Sequence, residues 1–250
     1  CRVDGTVTGG WTSVGGIVGW SGLDIKVINC VSAGDITGSQ LSVGGIIGYI
    51  SGETTNAKIV NCAALGKLSE TDDGTTPDGL HFGGIVACID SAINSLVIQG
   101  CYSCCTVGGT GNRGFIIGWI DAGSNVKTQE VYYTSCTGVT STVGHGTQVA
   151  ATAITTKTDA LKATAAALNK FVKTSPVADA TLTTWKVDGT TIVPKNYVNM
   201  LSLTASVFSE QSRSALIVIG AGVLAGIVAI VVLYRRKKKK APALTDGETT

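Results

Sequence analysis

Eight cysteines, two histidines and a scatter of acids are the groups in this sequence whose chemistry needs an account. Cys101, Cys104 and Cys105 sit close together, and Cys88 and Cys136 flank them at a distance. A lone Cys-x-x-Cys without a second pair is a poor zinc site, and its redox use belongs to a different fold. Disulfides are the default for cysteines outside the cell. The evenly recurring Cys1, Cys30, Cys62 and Cys101 suit a buried small-residue ladder equally well, and the sequence leaves both readings open. A zinc protease needs two helical histidines with a glutamate between them, whereas His81 and His145 read as histidines in unrelated loops. No nucleophile elbow is present. The acids gather in an insertion and at corners rather than as a pair suited to glycoside hydrolysis. Asp72 and Asp73 match no calcium loop. The expectation is a chain without catalytic residues, metal or cofactor.

The elements that carry these residues repeat. Val14-Gly15-Gly16-Ile17-Val18-Gly19-Trp20 returns as Val43-Gly44-Gly45-Ile46-Ile47-Gly48-Tyr49, then as Phe82-Gly83-Gly84-Ile85-Val86-Ala87-Cys88 and Arg113-Gly114-Phe115-Ile116-Ile117-Gly118-Trp119, at offsets of 29, 39 and 31 residues. Self-similarity at that period predicts stacked repeats. Three short β-like runs per repeat, separated by glycine and polar corners, predict an all-β parallel β-helix (β-solenoid) of about four repeats, with a small α+β closing segment and one C-terminal transmembrane helix. Side-chain alternation along the central run places Ile17, Ile46, Ile85 and Ile116 on an inner ladder. Val18, Ile47, Val86 and Ile117 fall on the other face, under a cover. Trp20, Tyr49 and Trp119 recur at one repeat position. They form a candidate ligand surface for glycan or extracellular protein, or a row that packs under a neighbouring element.

The chain opens inside a repeat, with Cys1 at the position of Cys30, which predicts the C-terminal piece of a longer protein. Residues 70–79 are polar and turn-rich, as a protruding loop would be. After Tyr133 the repeat fades. A helix from Thr158 or Asp159, one of which would cap it, to about Val172 carries Leu161, Ala165, Leu168, Phe171 and Val172 on one stripe. Residues 185–194 read as two strands about Asp188-Gly189. Together these suit the sealing of a last repeat. The expected domains are repeats over 1–133, a closing segment over 134–202, a tether over 203–214, a transmembrane helix over 215–234 and a basic tail over 235–250.

Charged residues make up only 14% of the chain and Gly 33 of 250 positions, unlike an average globular enzyme. Residues 215–234 carry no charge and match the length of a bilayer's hydrocarbon core. Arg235, Arg236, Lys237, Lys238, Lys239 and Lys240 follow as a stop-transfer block, which predicts a single-pass plasma-membrane protein with its N-terminal part outside and lipid as a partner. The rest of the chain has no basic stripe, so nucleic acid is excluded as a partner. Within the span, Gly222 and Gly226 form a small-xxx-small pattern compatible with helix pairing.

The Val-Gly-Gly-Ile-Val-Gly-Trp and Val-Gly-Gly-Ile-Ile-Gly-Tyr segments, each followed by an Ile/Val-Asn-Cys strand, resemble the GLUG repeat of bacterial and protist surface proteins over residues 1–133. That resemblance implies an extracellular β-solenoid of adhesin-like proteins, or an accessory region of immunoglobulin A metalloproteases. The expected function is therefore a non-enzymatic cell-surface structural or adhesive protein, with the stalk and anchor of a surface enzyme as the alternative.

Overall fold

The computed structural model describes residues 1–195 apart from residues 11, 53–55, 72–79, 91–92 and 178–179. Each of the segments that begin at Cys1, Cys30, Cys62 and Cys101, here called layers one to four, gives a strand to each of four parallel sheets. The largest sheet has eight strands and includes Arg2–Val3, Val31–Ser32, Ala63–Ala64, Leu96–Ser103 and Val126–Thr134. A second contains Val7–Gly9, Ile36–Gly38, Lys67–Glu70 and Thr106–Val107, and a third Ser13–Gly15, Ser42–Gly44, His81–Gly83 and Asn112–Gly114. The fourth holds five strands: Val18–Ser21, Ile47–Ile50, Val86–Ile89, Ile117–Ile120 and Val143–His145. Equivalent motif residues pair directly, so that Val14 lies opposite Val43 and Val18 opposite Ile47.

The expected parallel β-helix (β-solenoid) is corrected: the described residues form mostly parallel strands in several separate sheets with one short helix, and the expected central strand is divided. Residues 43–50 do not form one strand. They divide into Ser42–Gly44 and Ile47–Ile50, which belong to different sheets. The reason is the glycine pair. A side chain on Gly44 would collide with the carbonyl of Ile47, because the chain bends too sharply there for a Cβ. At the bend, the N–H groups of Ile46 and Ile47 both donate to the Ile85 carbonyl, each at 3.0 Å. The same bend removes the need for a cover over a second face. Ile46, Ile47, Ile85, Val86, Ile116 and Ile117 are each 0% exposed and share one core, with Ile17 and Val18 packed against it.

The chain is also not all-β. Helix α1 (Thr158–Thr174) buries Leu161, Thr164, Ala165, Leu168 and Phe171, while Val172 is only half-buried. Neither Thr158 nor Asp159 caps it, for the N-cap is Lys157 and makes no side-chain cap bond. Trp185–Asp188 and Thr191–Pro194 form the antiparallel pair about Gly189, as expected. Rather than sealing a last layer, α1 and this pair cover the side of the largest sheet, in a second core with Val31, Ala63 and Tyr102. At 17 residues α1 spans about 25 Å and carries Lys162, Lys170 and Lys173. Among the described residues no helix is long and apolar enough to cross a membrane, which corrects the expected single-pass plasma-membrane placement. Residues 215–234 with Gly222 and Gly226, the block Arg235, Arg236, Lys237, Lys238, Lys239 and Lys240, and most of the 70–79 insertion lie outside the described residues.

The Ile/Val-Asn-Cys motif makes a corner. Asn29 and Asn61 adopt left-handed backbone conformations (φ 55° and 56°), and Gly100 takes the same place in layer four's approach (φ 58°). Asparagine tolerates this region better than most residues. The following thiol donates back across the corner, from Cys30 to the Ile28 carbonyl at 3.3 Å, Cys62 to Val60 at 3.3 Å and Cys101 to Gln99 at 3.2 Å. The Asn61 amide donates to the Asn29 Oδ1 (2.7 Å) and the Thr183 carbonyl (2.8 Å) and accepts from Trp185 Nε1 at 2.6 Å, tying the covering segment to two layers.

Two stability predictions follow from this packing. Ile46→Asp places an unpaired carboxylate in the core and is expected to cost about 3 kcal/mol or more, read as a lower denaturant midpoint. An unchanged midpoint would show that Ile46 is not inside. Asn61→Gly keeps the corner but leaves the Trp185 N–H unpaired, at about 1–3 kcal/mol. Asn61→Ala adds backbone strain of about 1 kcal/mol and should melt lower than the glycine variant.

Candidate binding strip

The five-stranded sheet carries one column of side chains across all its strands. Trp20 pairs with Tyr49, Tyr49 with Cys88, Cys88 with Trp119, and Trp119 with His145. The parallel register brings the three expected aromatic residues into a single row, about 4.8 Å from strand to strand. Cys88 fills the break in that row and is buried.

The aromatic residues differ sharply in what surrounds them. Trp119 is half-buried between two imidazoles. The His81 ring lies 4.8 Å away at 26° and the His145 ring 3.8 Å away at 9°, so both faces of the indole are covered. Trp119 is therefore a packing residue. Tyr49 is half-buried and its hydroxyl donates to the Asp90 carboxylate. Burial, and then Asp90, hold this phenol protonated well above its usual range. Trp20 on the edge strand is 61% exposed.

Two acids border the row. The Asp90 N–H donates to the Ile50 carbonyl (3.1 Å) and the Asp121 N–H to the Ile89 carbonyl (2.9 Å), so the two residues follow their strands at equivalent places in successive layers. Asp90 is exposed and Asp121 half-buried.

The histidines are not in unrelated loops. His81 begins the strand His81–Gly83 and His145 ends Val143–His145, and the stacking on Trp119 joins them. A sequence signal for this existed: Val143-Gly144-His145 reproduces the ending of Ile117-Gly118-Trp119, with imidazole in place of indole. The Asn112 amide donates to His81 Nδ1 at 3.2 Å, which the neutral ring with its proton on Nε2 accepts. Desolvation, opposed by the backbone at Leu80 and supported by the nearby His145, lowers the His81 pKa below its ordinary value.

All eight cysteines are free thiols. Cys30, Cys62, Cys88, Cys101 and Cys105 are buried, Cys104 and Cys136 half-buried, and Cys1 exposed. Of the four recurring cysteines Cys30, Cys62 and Cys101 are buried and Cys1 is exposed, and the Cys30 N–H donates to the Cys62 sulfur at 3.4 Å. Burial drives the Cys62 and Cys105 thiols far above the usual range, and burial followed by Asp90 and Asp121 pushes Cys88 up to about 12. Such thiols are neither nucleophiles nor ready metal ligands at neutral pH. Among the described residues no cluster of three or more His, Cys, Asp or Glu side chains is placed to hold a metal ion.

The imidazole stack sets a pH prediction. His81 binds its proton less readily folded than unfolded, so its contribution to stability is present above the unfolded value of 6.5 and is lost as pH falls through the lower folded value. Melting temperature is expected to drop between pH 7.5 and 5.5, with a smaller drop in His81→Phe; equal drops would remove His81 as the cause.

No family model matches the chain, and no curated protein and no solved structure matches it. The GLUG-repeat and adhesin-like reading of residues 1–133 therefore finds no family support, and the strip stands on its geometry alone.

Proposed function

We propose that this chain is a non-enzymatic structural module whose stacked sheets hold a lateral contact strip for a glycan. The observation that carries the reading is the in-register row in which the exposed Trp20 indole adjoins Tyr49 and the Asp90 carboxylate. A sugar ring offers a flat C–H face and a rim of hydroxyls. The Trp20 ring supplies a flat apolar partner for the face, and Asp90 and Asp121 supply acceptors for the hydroxyls. Tyr49, held by its bond to Asp90, contributes a fixed ring edge rather than a mobile one, which lowers the ordering cost of an encounter. The underlying sheets keep these groups at fixed strand spacings, so the surface is organised before any ligand arrives.

Binding of the purified chain to an array of neutral and acidic oligosaccharides tests this. Trp20→Ala is expected to reduce binding about tenfold, as loss of an exposed aromatic anchor worth about 1–2 kcal/mol would, with an unchanged melting temperature. Trp119→Ala should instead lower the melting temperature, since it empties a sandwiched site. Absence of glycan binding by the parent chain, capture of basic peptides in place of glycans, or hydrolysis of the oligosaccharides would overturn the proposal.

A further inference from the structure

The turn of the largest sheet carries one residue that does not suit its backbone. Gln129 pairs with Gln99 and Val131 with Cys101, so Glu130 lies opposite Gly100, in the column of left-handed corners that includes Asn29 and Asn61. Glycine and asparagine accept this conformation readily, whereas a longer side chain is strained by it. Glu130 nevertheless holds it, at φ 51°. Its side chain does not tie the fold together as the asparagines do. Asn29 and Asn61 bond to the covering segment at Thr181 and Thr183. The exposed Glu130 carboxylate accepts, among the described residues, only from the hydroxyl of Tyr132 on its own strand. Burial, and then Glu130, keep that phenol protonated well above its usual range, so it remains a donor to the carboxylate.

A groove of about 390 Å³ opens beside this corner, between Glu130 and Tyr132 on the strand and Ala167, Lys170 and Phe171 on α1. That volume is of the size of a small-molecule site. Its apolar part is Ala167 and Phe171, whose ring lies where a side chain on Gly100 would collide with it. Its polar part has opposite charges on the two walls. Lys170 is exposed, and the ion pairs among the described residues are Arg2 with Asp4 and Lys186 with Asp188, so Glu130 and Lys170 do not neutralise each other. At the rim the Thr174 hydroxyl donates to the Lys170 carbonyl at 3.0 Å and the Ser175 N–H to that of Phe171 at 2.9 Å, which fixes the last turn of α1.

We propose that this groove binds a small zwitterion of the α-amino-acid class, with its ammonium on Glu130, its carboxylate on Lys170 and an apolar side chain against Ala167 and Phe171. Opposite charges held apart over an apolar surface match a ligand that carries both, and each charge gains a charge-assisted bond when that ligand enters. A ligand of one sign would satisfy one wall and be repelled by the other. The strained residue type is then accounted for, because neither asparagine nor glycine supplies a carboxylate at this corner.

Isothermal titration calorimetry of the purified chain with leucine and with phenylalanine tests this, beside the N-acetyl and amide forms of each, which lack the ammonium and the carboxylate in turn. At least one of the two amino acids is expected to bind saturably at one site, and its blocked forms at least tenfold more weakly. Glu130→Gln keeps the bond from Tyr132 and removes the charge, so affinity should fall at least tenfold at an unchanged melting temperature. Lys170→Gln should weaken binding in the same way. Glu130→Asn should lose binding yet melt no lower than the parent, since the corner then holds a residue suited to it. No binding of either amino acid, parent-like affinity in Glu130→Gln, or a lower melting temperature for Glu130→Asn would each overturn the proposal. Equal binding of the amide form would also overturn it, in favour of the N-terminus of a peptide.

Discussion

Backbone meets backbone between the layers of this protein, and nearly every other feature depends on that approach. At Gly45 a side chain would strike the Gly84 carbonyl, and at Gly84 it would strike that of Phe115. Parallel strands lie about 4.8 Å apart whatever their side chains, but a bend within a layer brings carbonyls toward the Cα atoms of the next. Glycine alone leaves that space empty. With the bends nested, consecutive N–H groups find acceptors in the adjacent layer, as Ile85 and Val86 do on the Ile116 carbonyl at 2.9 and 3.0 Å. A buried bend would otherwise leave amides unpaired. The isoleucine and valine pairs can then turn inward together, and the core forms between the sheets rather than on one face of any of them.

The corners solve a second problem of the same kind. A left-handed residue is needed where the largest sheet turns, and Asn29 and Asn61 take it up with a side chain that also bonds outward to Thr181 and Thr183. The adjacent thiols turn inward and bond to carbonyls beside the same corner. This is a structural use of cysteine. A thiol is small, apolar enough to bury and still able to donate weakly. Of the residues that looked most reactive by type, Cys62, Cys88 and Cys105 are thus held protonated inside the protein.

One repeat position meets several different fates. Trp119 has a fifth strand beside it, and the imidazole of His145 covers one face while His81 from the neighbouring sheet covers the other. Tyr49 is fixed by a carboxylate that follows the next strand. Cys88 is small and sinks beneath the row. Trp20, on the edge strand, stays open. Identity along the column does not decide exposure; the neighbours on either side do.

From the sequence alone, the repeat period, the pairing of equivalent residues, the buried isoleucines, the amphipathic α1 stripe and the Asp-Gly hairpin were all legible, because each rests on a local pattern of polarity or on an identity repeated at a fixed interval. The division of residues 43–50 between two sheets was not, since alternation along a run assumes a straight strand and only the approach of the next layer makes Gly44 bend. The place of α1 was also closed to it. A hydrophobic stripe at Leu161, Leu168 and Phe171 says that something is covered, whereas the bonds of Trp185 and Asn61 decide that the covered surface is the side of the largest sheet. His81 and His145, 64 positions apart and on different sheets, gave no local sign of meeting. Their contact arises from register between layers, a long-range constraint that a single sequence expresses only as the faint likeness of Val-Gly-His to Ile-Gly-Trp.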